Sequence, residues 1–328
     1  MHHIFGHTSP DTDAFASAFA LAYYLNAKGV AATAYRLGEP NLETCFVIEQ
    51  LFAHFPSQMS GLPDKLLPYL DPHQPLGVLN KGDAIGLTDH NEPSQSIANL
   101  SDFDIRYVID HHKLNLSTPT PAEICIRPVG CTCTILYQMF VYQNIAITPM
   151  LATLMLSAII SDTLNLNSPT TTDDDRHALT ALMGIANLSP TAKDDYAHAM
   201  FAAKSSTAHL TAREILLMDY KAYDIGGKSW GIAGIETVDT RQIFARLHEL
   251  ADTANTLAQE KQLDHLMIAI VDIKNNIGHL SAHDPIQNAI ISQAFGAAPK
   301  DGVFSLAGVV SRKKQLVPTL ESHATAQS

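Results

Sequence analysis

Basic residues are scarce in this sequence. Its 328 residues include 21 lysines and arginines against 33 aspartates and glutamates, which gives a formal net charge of -12 at pH 7. A general nucleic-acid binder normally presents a basic face that collects phosphates. The acidic balance therefore argues against nucleic acid as a partner. It also means that any anionic substrate must meet a local cluster of cations.

Signals of an oxidising or membrane compartment are missing as well. The cysteines, at positions 45, 125, 131 and 133, have neither zinc-knuckle spacing nor the density of a disulfide scaffold, so we expect reduced thiols. The first residues lack the basic segment and apolar core of a signal peptide. No apolar run approaches the roughly 18 residues of a membrane span. We therefore predict a cytoplasmic protein without membrane contact.

Length and composition predict two globular domains. The sequence is 46% hydrophobic and 16% charged, and a single core usually stops growing below about 250 to 300 residues. The helical pattern of residues 173–186 breaks at the turn signal Ser189-Pro190-Thr191. We therefore expect a first domain at 1–188, a linker at 189–195 and a second domain at 196–328.

The first half alternates short β-like runs with helical patterns. Apolar residues recur at helical spacing over residues 14–25, and the helical stretch 149–160 has Thr148 as N-cap and Pro149 in its first turn. The β-like runs are residues 4–5, 84–87, 106–109 and 123–127. This alternation predicts an α/β domain with a mostly parallel sheet.

The second part of the chain is predicted to form a smaller α/β domain. It opens with helical patterns and continues with apolar runs at 230–235, 265–273 and 303–310, separated by the helical stretch 241–261. The pair Gly226-Gly227 is interpreted as a turn. The residues after Leu320 are polar and are expected to be frayed.

Aspartate and histidine follow three of the apolar runs in the first half. Residues 6–13 contain His7, Asp11 and Asp13, residues 88–92 contain Asp89, and residues 110–112 are Asp-His-His. In open parallel sheets, ligands bind beyond the carboxyl ends of the strands, so these side chains are expected to converge. Asp162 follows the helical stretch 149–160 instead, and it reaches the same place only if that helix packs over the sheet.

The converging side chains have the composition of a metal site. They comprise two imidazoles and four carboxylates, namely His7, His111, Asp11, Asp13, Asp89 and Asp162. This mixed nitrogen and oxygen set suits Mn²⁺ or Co²⁺, and two divalent ions would cancel the four negative charges. Two metals about 3.5 to 4 Å apart can share a hydroxide that attacks phosphorus. The sequence therefore predicts phosphoester or phosphoanhydride hydrolysis.

A basic run lies near the C-terminus, in Ser311-Arg312-Lys313-Lys314-Gln315. An isolated charge run is typical of a solvated strand edge. In an acidic chain, however, this run is a local reversal of sign. Arginine offers a bidentate fork for phosphate and lysine a point charge. The run is therefore a candidate phosphate-binding site.

Taken together, these motifs resemble the DHH phosphoesterase superfamily and, within it, the manganese-dependent (family II) inorganic pyrophosphatases. The motifs follow the family's order and span nearly the whole chain. They are Gly-His-x-x-Pro-Asp-Thr-Asp at 6–13, Asp-His-Asn-Glu at 89–92, Asp-His-His at 110–112, Ser-Ala-Ile-Ile-Ser-Asp-Thr at 157–163 and Ser-Arg-Lys-Lys-Gln at 311–315. The resemblance implies an N-terminal DHH domain followed by a smaller DHHA2-type domain.

The resemblance also implies which residues hold two metal ions per subunit, Mn²⁺ or Co²⁺. One ion would be held by His7, Asp11 and Asp89, and the other by Asp13, Asp89, His111 and Asp162. Asp89 would bridge the two ions. Asp110 would orient a histidine, because a ligating imidazole needs a partner for its other nitrogen.

On the substrate side, the resemblance implies that pyrophosphate, bound with Mg²⁺, is hydrolysed to two phosphates by a metal-bridging hydroxide. His112, Lys204, Arg312 and Lys313 would contact the substrate and take up charge on the departing phosphate. The match at Lys204 is looser, since the surrounding residues carry little signature. The resemblance further implies an active site between the domains and a homodimer formed through the N-terminal domains.

Other interpretations are compatible with part of these patterns. Another DHH phosphoesterase, such as an exopolyphosphatase or a nucleotide phosphodiesterase, would share the first-domain ligands, although the motif at 311–315 argues against it. A non-catalytic, metal-dependent phosphate-binding protein would keep the fold without turnover. The segment 57–81 is longer than is usual in the family but too short for a regulatory nucleotide-binding insert.

Overall fold

The computed structural model describes residues 1–281 and 285–327. The chain divides into two compact units, Met1–Lys204 and Ser205–Ser328. This division falls later than the predicted boundary at 188.

Residues 189–195, predicted as a linker, are instead part of a helix that begins at Pro190. Ser189 caps this helix, because its side chain accepts a hydrogen bond from the backbone N–H of Ala192 at 3.2 Å. Ser-Pro therefore starts a helix here instead of separating the units.

The first unit contains a five-stranded sheet in which every pair of neighbouring strands is parallel, as predicted. The strand order is β2-β1-β3-β4-β5. The strands are β1 His2–Phe5, β2 Ala32–Tyr35, β3 Ala84–Thr88, β4 Asp104–Asp110 and β5 Glu123–Ile126. The chain passes from β1 to β2 on one side and then to β3 on the other, so the direction of winding reverses between β1 and β3.

Helices of the first unit begin where the sequence offers a capping side chain. Asp11, Asn41, Thr148 and Thr172 each accept a backbone hydrogen bond at a helix start. The helices are α1 Thr12–Ala27, α2 Leu42–His54, α3 Pro56–Met59, α4 Thr132–Tyr142, α5 Pro149–Asp162, α6 Asp173–Ala186 and α7 Pro190–Lys204. The predicted N-cap at Thr148 is confirmed. Cys131 and Cys133 are buried at the start of α4.

Apolar residues cover both faces of this sheet. One core joins Ile4 and Ile109 to α1, α2, α4, α5, α6 and α7. A second core on Phe5 and Leu87 includes Leu70 and Leu79 from the long segment 57–81. This segment also adds a bridge from Tyr69 to the end of β2. The segment therefore completes the second core and covers part of the sheet edge.

The second unit contains a mixed five-stranded sheet of order β10-β9-β8-β7-β6, in which β7 and β8 are parallel. The predicted helical stretch 241–261 is divided into two helices at Arg246. The residues after Leu320, predicted to be frayed, continue a helix, because Leu320 is buried in the core and anchors it. The elements are α8 Ala212–Met218, β6 Asp219–Ile225, β7 Lys228–Thr237, α9 Thr240–Ala245, α10 Leu247–Glu260, β8 His265–Asp272, β9 Ile277–Ser281, α11 Pro285–Phe295, β10 Val303–Ala307 and α12 Val317–Gln327.

The second unit contains the predicted glycine turn, and its basic run adopts a helical turn. Gly226 and Gly227 join β6 to β7 with φ of 61° and 73°, a left-handed conformation that glycine adopts without strain, so the predicted turn is confirmed. Arg312–Leu316 forms a π-helical turn before α12. Within the described residues, no helix is long and apolar enough to cross a membrane.

Candidate metal centre

The candidate site lies at the carboxyl ends of β1, β3 and β4. His7 and Asp11 follow β1, Asp89 follows β3, and Asp110 ends β4. The reversal of winding between β1 and β3 leaves a crevice at this edge, because the connections from the two strands run in opposite directions. The sequence prediction that these three strand ends share one site agrees with this topology.

The turn from β1 into α1 positions the first group of side chains. A Cβ on Gly6 would stand 2.4 Å from the carbonyl oxygen of Ala14, so only glycine allows the chain to approach α1 this closely. Asp11 is the N-cap of α1, and its Oδ1 accepts a hydrogen bond from Ala14 N at 3.0 Å. The Nε2 of His7 lies 3.7 Å from the same Oδ1.

Asp89 lies at the centre of the cluster. Its backbone is left-handed, with φ of 57°, an uncommon conformation for a residue with a side chain, and the residue is buried. Its Oδ2 lies 3.5 Å from His7 Nε2 and its Oδ1 lies 3.3 Å from His111 Nε2. The two oxygens of one carboxylate thus face two different imidazoles, which is the arrangement that a bridging ligand requires.

The remaining carboxylates come from helices. Asp13, in the first turn of α1, accepts hydrogen bonds from Thr132 N at 2.6 Å and Cys133 N at 3.1 Å. These N–H groups belong to the N-terminus of α4, whose dipole favours a negative charge. Asp162 is the last residue of α5, and its Oδ2 lies 4.0 Å from His111 Nε2. The helix therefore brings Asp162 to the strand ends.

Hydrogen bonds fix the orientation of both imidazoles in the Asp-His-His run. The Nδ1 of His111 lies 3.0 Å from the carbonyl oxygen of Val129, which can only accept, so Nδ1 carries the proton and Nε2 is left for a metal. The Nδ1 of His112 lies 2.9 Å from Asp110 Oδ1. Asn91 Nδ2 donates to the other oxygen of Asp110 at 2.6 Å. Asp110 therefore orients His112.

All six predicted ligand side chains come together in the first unit. One group, whose ligand atoms lie within 4.8 Å of one another, comprises His7, Asp11 and Asp89. A second group with the same spacing comprises Asp13, Asp89, His111 and Asp162. Asp89 belongs to both groups. These two groups match the two ligand sets that the resemblance implies.

The protonation equilibria of the carboxylates show the cost of gathering them without a counter-ion. Burial and the charge of Asp89 raise the pKa of Asp13 to about 6. Burial and the charges of Asp13 and Asp89 raise the pKa of Asp162 well above its ordinary value. Burial also acts to raise the pKa of Asp89, but hydrogen bonds from His111 and His7 lower it below the ordinary value. Without metal ions, bound protons therefore supply the positive charge that the cluster of carboxylates requires.

The two imidazoles that face Asp89 hold their protons strongly. Burial lowers the pKa of His7, but hydrogen bonds to Asp11 and Asp89 outweigh it and raise the pKa to about 10. Burial likewise lowers the pKa of His111, while Asp89 and Asp13 raise it to about 9. Divalent cations would take the place of these protons. Two imidazole nitrogens and four carboxylates form a donor set that fits Mn²⁺ or Co²⁺.

Of the predicted phosphate-binding residues, His112 lies beside the cluster, with its Nδ1 3.8 Å from Asp89 Oδ1, whereas Lys204, Arg312 and Lys313 belong to neither group of ligand atoms. Lys204 ends α7, and its Nζ lies 3.1 Å from Glu43 Oε2 in the first unit. Arg312 belongs to the second unit, where its Nη2 donates to Asp219 Oδ1 at 2.7 Å and its Nη1 donates to the carbonyl oxygen of Asp219. Lys313 is exposed in the same unit.

Sequence reasoning missed several residues that shape the site. Thr132 donates its hydroxyl hydrogen to Asp89 Oδ1 at 3.1 Å, and Asn91 holds Asp110. The only sequence signal for Thr132 was its position at a helix start. Gln95 and Thr170 line the same cavity of about 210 Å³ as the imidazoles. Neither residue belongs to one of the motifs that identified the site.

Comparisons with known proteins agree with this geometry. The N-terminal domain model of the DHH family matches residues 2–159, and the DHHA2 domain model matches residues 198–323. A Deinococcus radiodurans protein named probable manganese-dependent inorganic pyrophosphatase is 39% identical over 325 residues, covering 98% of each chain. A Staphylococcus haemolyticus protein of the same name is 37% identical, covering 97% of each chain.

Among solved structures, a protein of Methanococcus jannaschii named as a family II inorganic pyrophosphatase superposes with a TM-score of 0.58 at 32% identity. The match covers 99% of this chain and 100% of that chain. The predicted DHH and DHHA2 regions are thus confirmed. The chain belongs to the DHH phosphoesterases and, within them, to the family of manganese-dependent (family II) inorganic pyrophosphatases.

Proposed function

We propose that this protein hydrolyses inorganic pyrophosphate to two phosphates at a dinuclear Mn²⁺ or Co²⁺ site, with the substrate bound as a Mg²⁺ complex. The observation that carries the proposal is the position of Asp89, whose two oxygens face His7 and His111 and which belongs to both groups of ligand atoms. The names of the relatives, all of similar length, support the same substrate.

Two divalent ions bound to this cluster would supply hydroxide at neutral pH by lowering the pKa of water, and would draw charge from a phosphoryl oxygen. The protein's own contribution is to hold the ligands in place. The helix N-terminus at Thr132 fixes Asp13, and Val129 fixes the tautomer of His111. These contacts leave Nε2 of His111 directed at Asp89.

The substrate's charge requires further cations. His112 is more than half exposed, and its hydrogen bond to Asp110 raises the pKa of its imidazole, so it carries positive charge over a wider pH range. The carboxylates would neutralise the charge of the metal ions, so the charge of the substrate must be neutralised by other groups. We assign this phosphate binding to His112, Lys204, Arg312 and Lys313. A guanidinium can bind phosphate in a bidentate manner, and the ammonium groups act as point charges.

The oligomer proposed for this chain is a homodimer formed through the first unit. Strand β5 ends the parallel sheet at one edge, and the side chain of Ile124 on it is 43% exposed. An edge strand that exposes an apolar residue is suited to pairing with another strand. A second copy of the same edge would cover it.

The experiment that tests the metal assignment compares wild-type protein with Asp89→Ala after chelation and reconstitution with Mn²⁺. Wild-type protein is expected to bind two ions per chain and to gain pyrophosphatase activity as they bind. Asp89→Ala is expected to lose metal and lose activity by at least about a thousandfold. Full activity of the variant at wild-type metal content would overturn the assignment of Asp89.

A further inference from the structure

Arg312 and Asp219 form an ion pair within the second unit, although they lie 93 residues apart in the sequence. The Nη2 of Arg312 donates to Asp219 Oδ1 at 2.7 Å, and its Nη1 donates to the carbonyl oxygens of Asp219 and Ile232. The side chain of Arg312 is only 13% exposed. The guanidinium therefore lies against the start of β6 and the middle of β7 instead of extending into solvent.

These hydrogen bonds occupy one edge of the guanidinium and leave another edge unused. Asp219 contacts both Nη1 and Nη2, so it lies at the edge that these two nitrogens share. Among residues 1–281 and 285–327, Arg312 Nε has no hydrogen-bond partner. The N–H of Nε and the second N–H of Nη2 lie side by side in the guanidinium plane, which is the arrangement that binds two phosphate oxygens at once.

Gly234 on β7 leaves room for this ion pair. A Cβ at position 234 would stand 2.8 Å from Asp219 Oδ2 and 3.2 Å from Arg312 Nη1. Gly234 is not among the glycines with positive φ, so its backbone conformation does not require glycine. The space that the carboxylate and the guanidinium occupy gives the physical reason for glycine at this position.

The chain that leads into Arg312 is fixed as well. Gln315 Oε1 accepts hydrogen bonds from the backbone N–H groups of Val310 and Ser311, both at 2.9 Å, and Gln315 Nε2 donates to the carbonyl oxygen of Gly308 at 2.7 Å. Arg312 is thus held at its backbone and at its guanidinium. A long side chain loses rotamer freedom when it binds a ligand, and one that is already fixed loses less.

The stability of the fold accounts poorly for this ion pair. The side chain of Asp219 is 54% exposed, and an ion pair with such a carboxylate contributes little, because water screens it. The next residue of the basic run, Lys313, is exposed, so the run as a whole does not lie on the sheet. A role in orienting the guanidinium explains why Arg312 alone is held there.

We propose that Asp219 is a positioning residue for Arg312. It holds the edge formed by Nη1 and Nη2, so that the edge formed by Nε and Nη2 is left for a phosphate group of pyrophosphate. This inference rests on the proposed function, in which Arg312 binds the substrate. Asp219 contacts neither substrate nor metal in this account and acts through Arg312.

The test is a double-mutant cycle with Asp219→Ala, Arg312→Ala and the double variant, measured on full-length protein with Mn²⁺ and pyrophosphate. Asp219→Ala is expected to raise KM roughly three- to tenfold, with kcat changed less than about twofold. Its Mn²⁺ content should match that of the wild type. In the Arg312→Ala background, Asp219→Ala should change KM no further.

The matched control is Glu260→Ala, which removes a half-exposed carboxylate that pairs with Arg213 at 2.8 Å in the same unit. This control should leave KM unchanged. Asp219→Asn separates the hydrogen bond from the charge, because the amide oxygen can still accept from Nη2. Positioning predicts that KM of Asp219→Asn stays within about twofold of the wild-type value. A purely structural role predicts that Asp219→Ala lowers the denaturation midpoint and leaves KM unchanged.

Several results would overturn the inference. Equal effects of Asp219→Ala with and without Arg312 would show that Asp219 does not act through the arginine. Equal increases of KM in Asp219→Asn and Asp219→Ala would show that the carboxylate acts by its charge and not by holding the guanidinium. A lower KM in Asp219→Ala would show that the carboxylate competes with phosphate for Arg312.

The Arg312→Ala variant distinguishes failure of this inference from failure of the proposed function. A wild-type kcat/KM in Arg312→Ala would remove Arg312 from the proposed function and the inference with it. A lower kcat/KM in Arg312→Ala together with an unchanged KM in Asp219→Ala would refute the inference alone.

Discussion

Asp110 and His112 form a paired contact at the end of β4. Asp110 Oδ1 lies 2.9 Å from the imidazole Nδ1 of His112 and also accepts a hydrogen bond from the His112 backbone N at 3.1 Å. Asp110 is buried, whereas the His112 side chain is 57% exposed. The fixed carboxylate therefore directs the other nitrogen of an exposed imidazole, Nε2, outward, where a substrate can reach it.

Replacing Asp110 with Asn should lower the pKa of His112, because the hydrogen bond to the Asp110 carboxylate is the main cause that raises it. The imidazolium would then be lost at lower pH, and KM for pyrophosphate should begin to rise at a lower pH than in the wild type. An NMR titration of His112 measures the shift directly. Asp102→Asn, which removes a surface partner of Lys81, serves as control. An unchanged His112 pKa would contradict this role.

Arg312→Ala should lower kcat/KM for pyrophosphate by about a hundredfold while Mn²⁺ content stays near that of the wild type, because the guanidinium is proposed to bind phosphate and not metal. Some loss of stability in the second unit is also expected, since Arg312 Nη2 binds Asp219 at 2.7 Å.

The control for Arg312 is Arg241→Ala, which removes an exposed arginine of the same unit that pairs with Asp239. Metal analysis by mass spectrometry and steady-state kinetics are measured on both variants. Loss of Mn²⁺ in Arg312→Ala, or equal kinetic effects of the two substitutions, would count against the assigned role.

Metal binding should release protons at pH 7. In the metal-free protein the pKa values of His7 and His111 are raised to about 10 and about 9, so both imidazoles hold protons that a metal must displace. At least about two protons per chain are therefore expected to leave on saturation with Mn²⁺, and any proton held by Asp162 would leave as well.

The protonation of the ligand side chains also determines how Mn²⁺ affinity changes with pH. Mn²⁺ affinity should fall on acidification, and more steeply below pH 6, where Asp13 with its pKa of about 6 also becomes protonated. Calorimetric titrations in buffers of different ionisation enthalpy count the protons. Binding without proton release would mean that the imidazoles are not ligands.

If the chain forms the proposed homodimer, Ile124→Lys on β5 should convert it to a monomer, because the edge strand would then present a charge to its copy. Leu76→Lys provides the control, since Leu76 is 50% exposed but belongs to the segment 57–81, which bridges through Tyr69 to the end of β2, the strand at the other edge of the sheet. Light scattering after size exclusion gives the mass. A wild-type monomer, or a dimer that survives Ile124→Lys, would refute the proposed interface.

The site's location could be predicted from the sequence because the carboxyl ends of parallel strands share one sheet edge. His7, Asp89 and His111 each follow an apolar run, so the pattern alone indicated that they meet. Asp162 required tertiary information, since it ends a helix and its direction depends on how α5 packs. The left-handed backbone of Asp89, with φ of 57°, also lies beyond what a sequence pattern indicates.

Other features could not be predicted because the same residues suit two structures. Ser189-Pro190 is a turn signal and also a helix start, and here Ser189 caps α7, so the division between the units comes after Lys204. Glu43 has no motif around it, and only the packing of α2 against α5 and α7 brings it to Ser161 and Lys204.

Phosphate release from pyrophosphate, compared with release from polyphosphate, a cyclic dinucleotide and short oligonucleotides, tests the central claim most directly. The wild-type protein reconstituted with Mn²⁺ is used at equal substrate concentrations. The account predicts that kcat/KM for pyrophosphate exceeds that for every other substrate. Preference for polyphosphate or a nucleotide would indicate another DHH phosphoesterase. Tight pyrophosphate binding without phosphate release would indicate a non-catalytic binding protein. Either result would contradict the account.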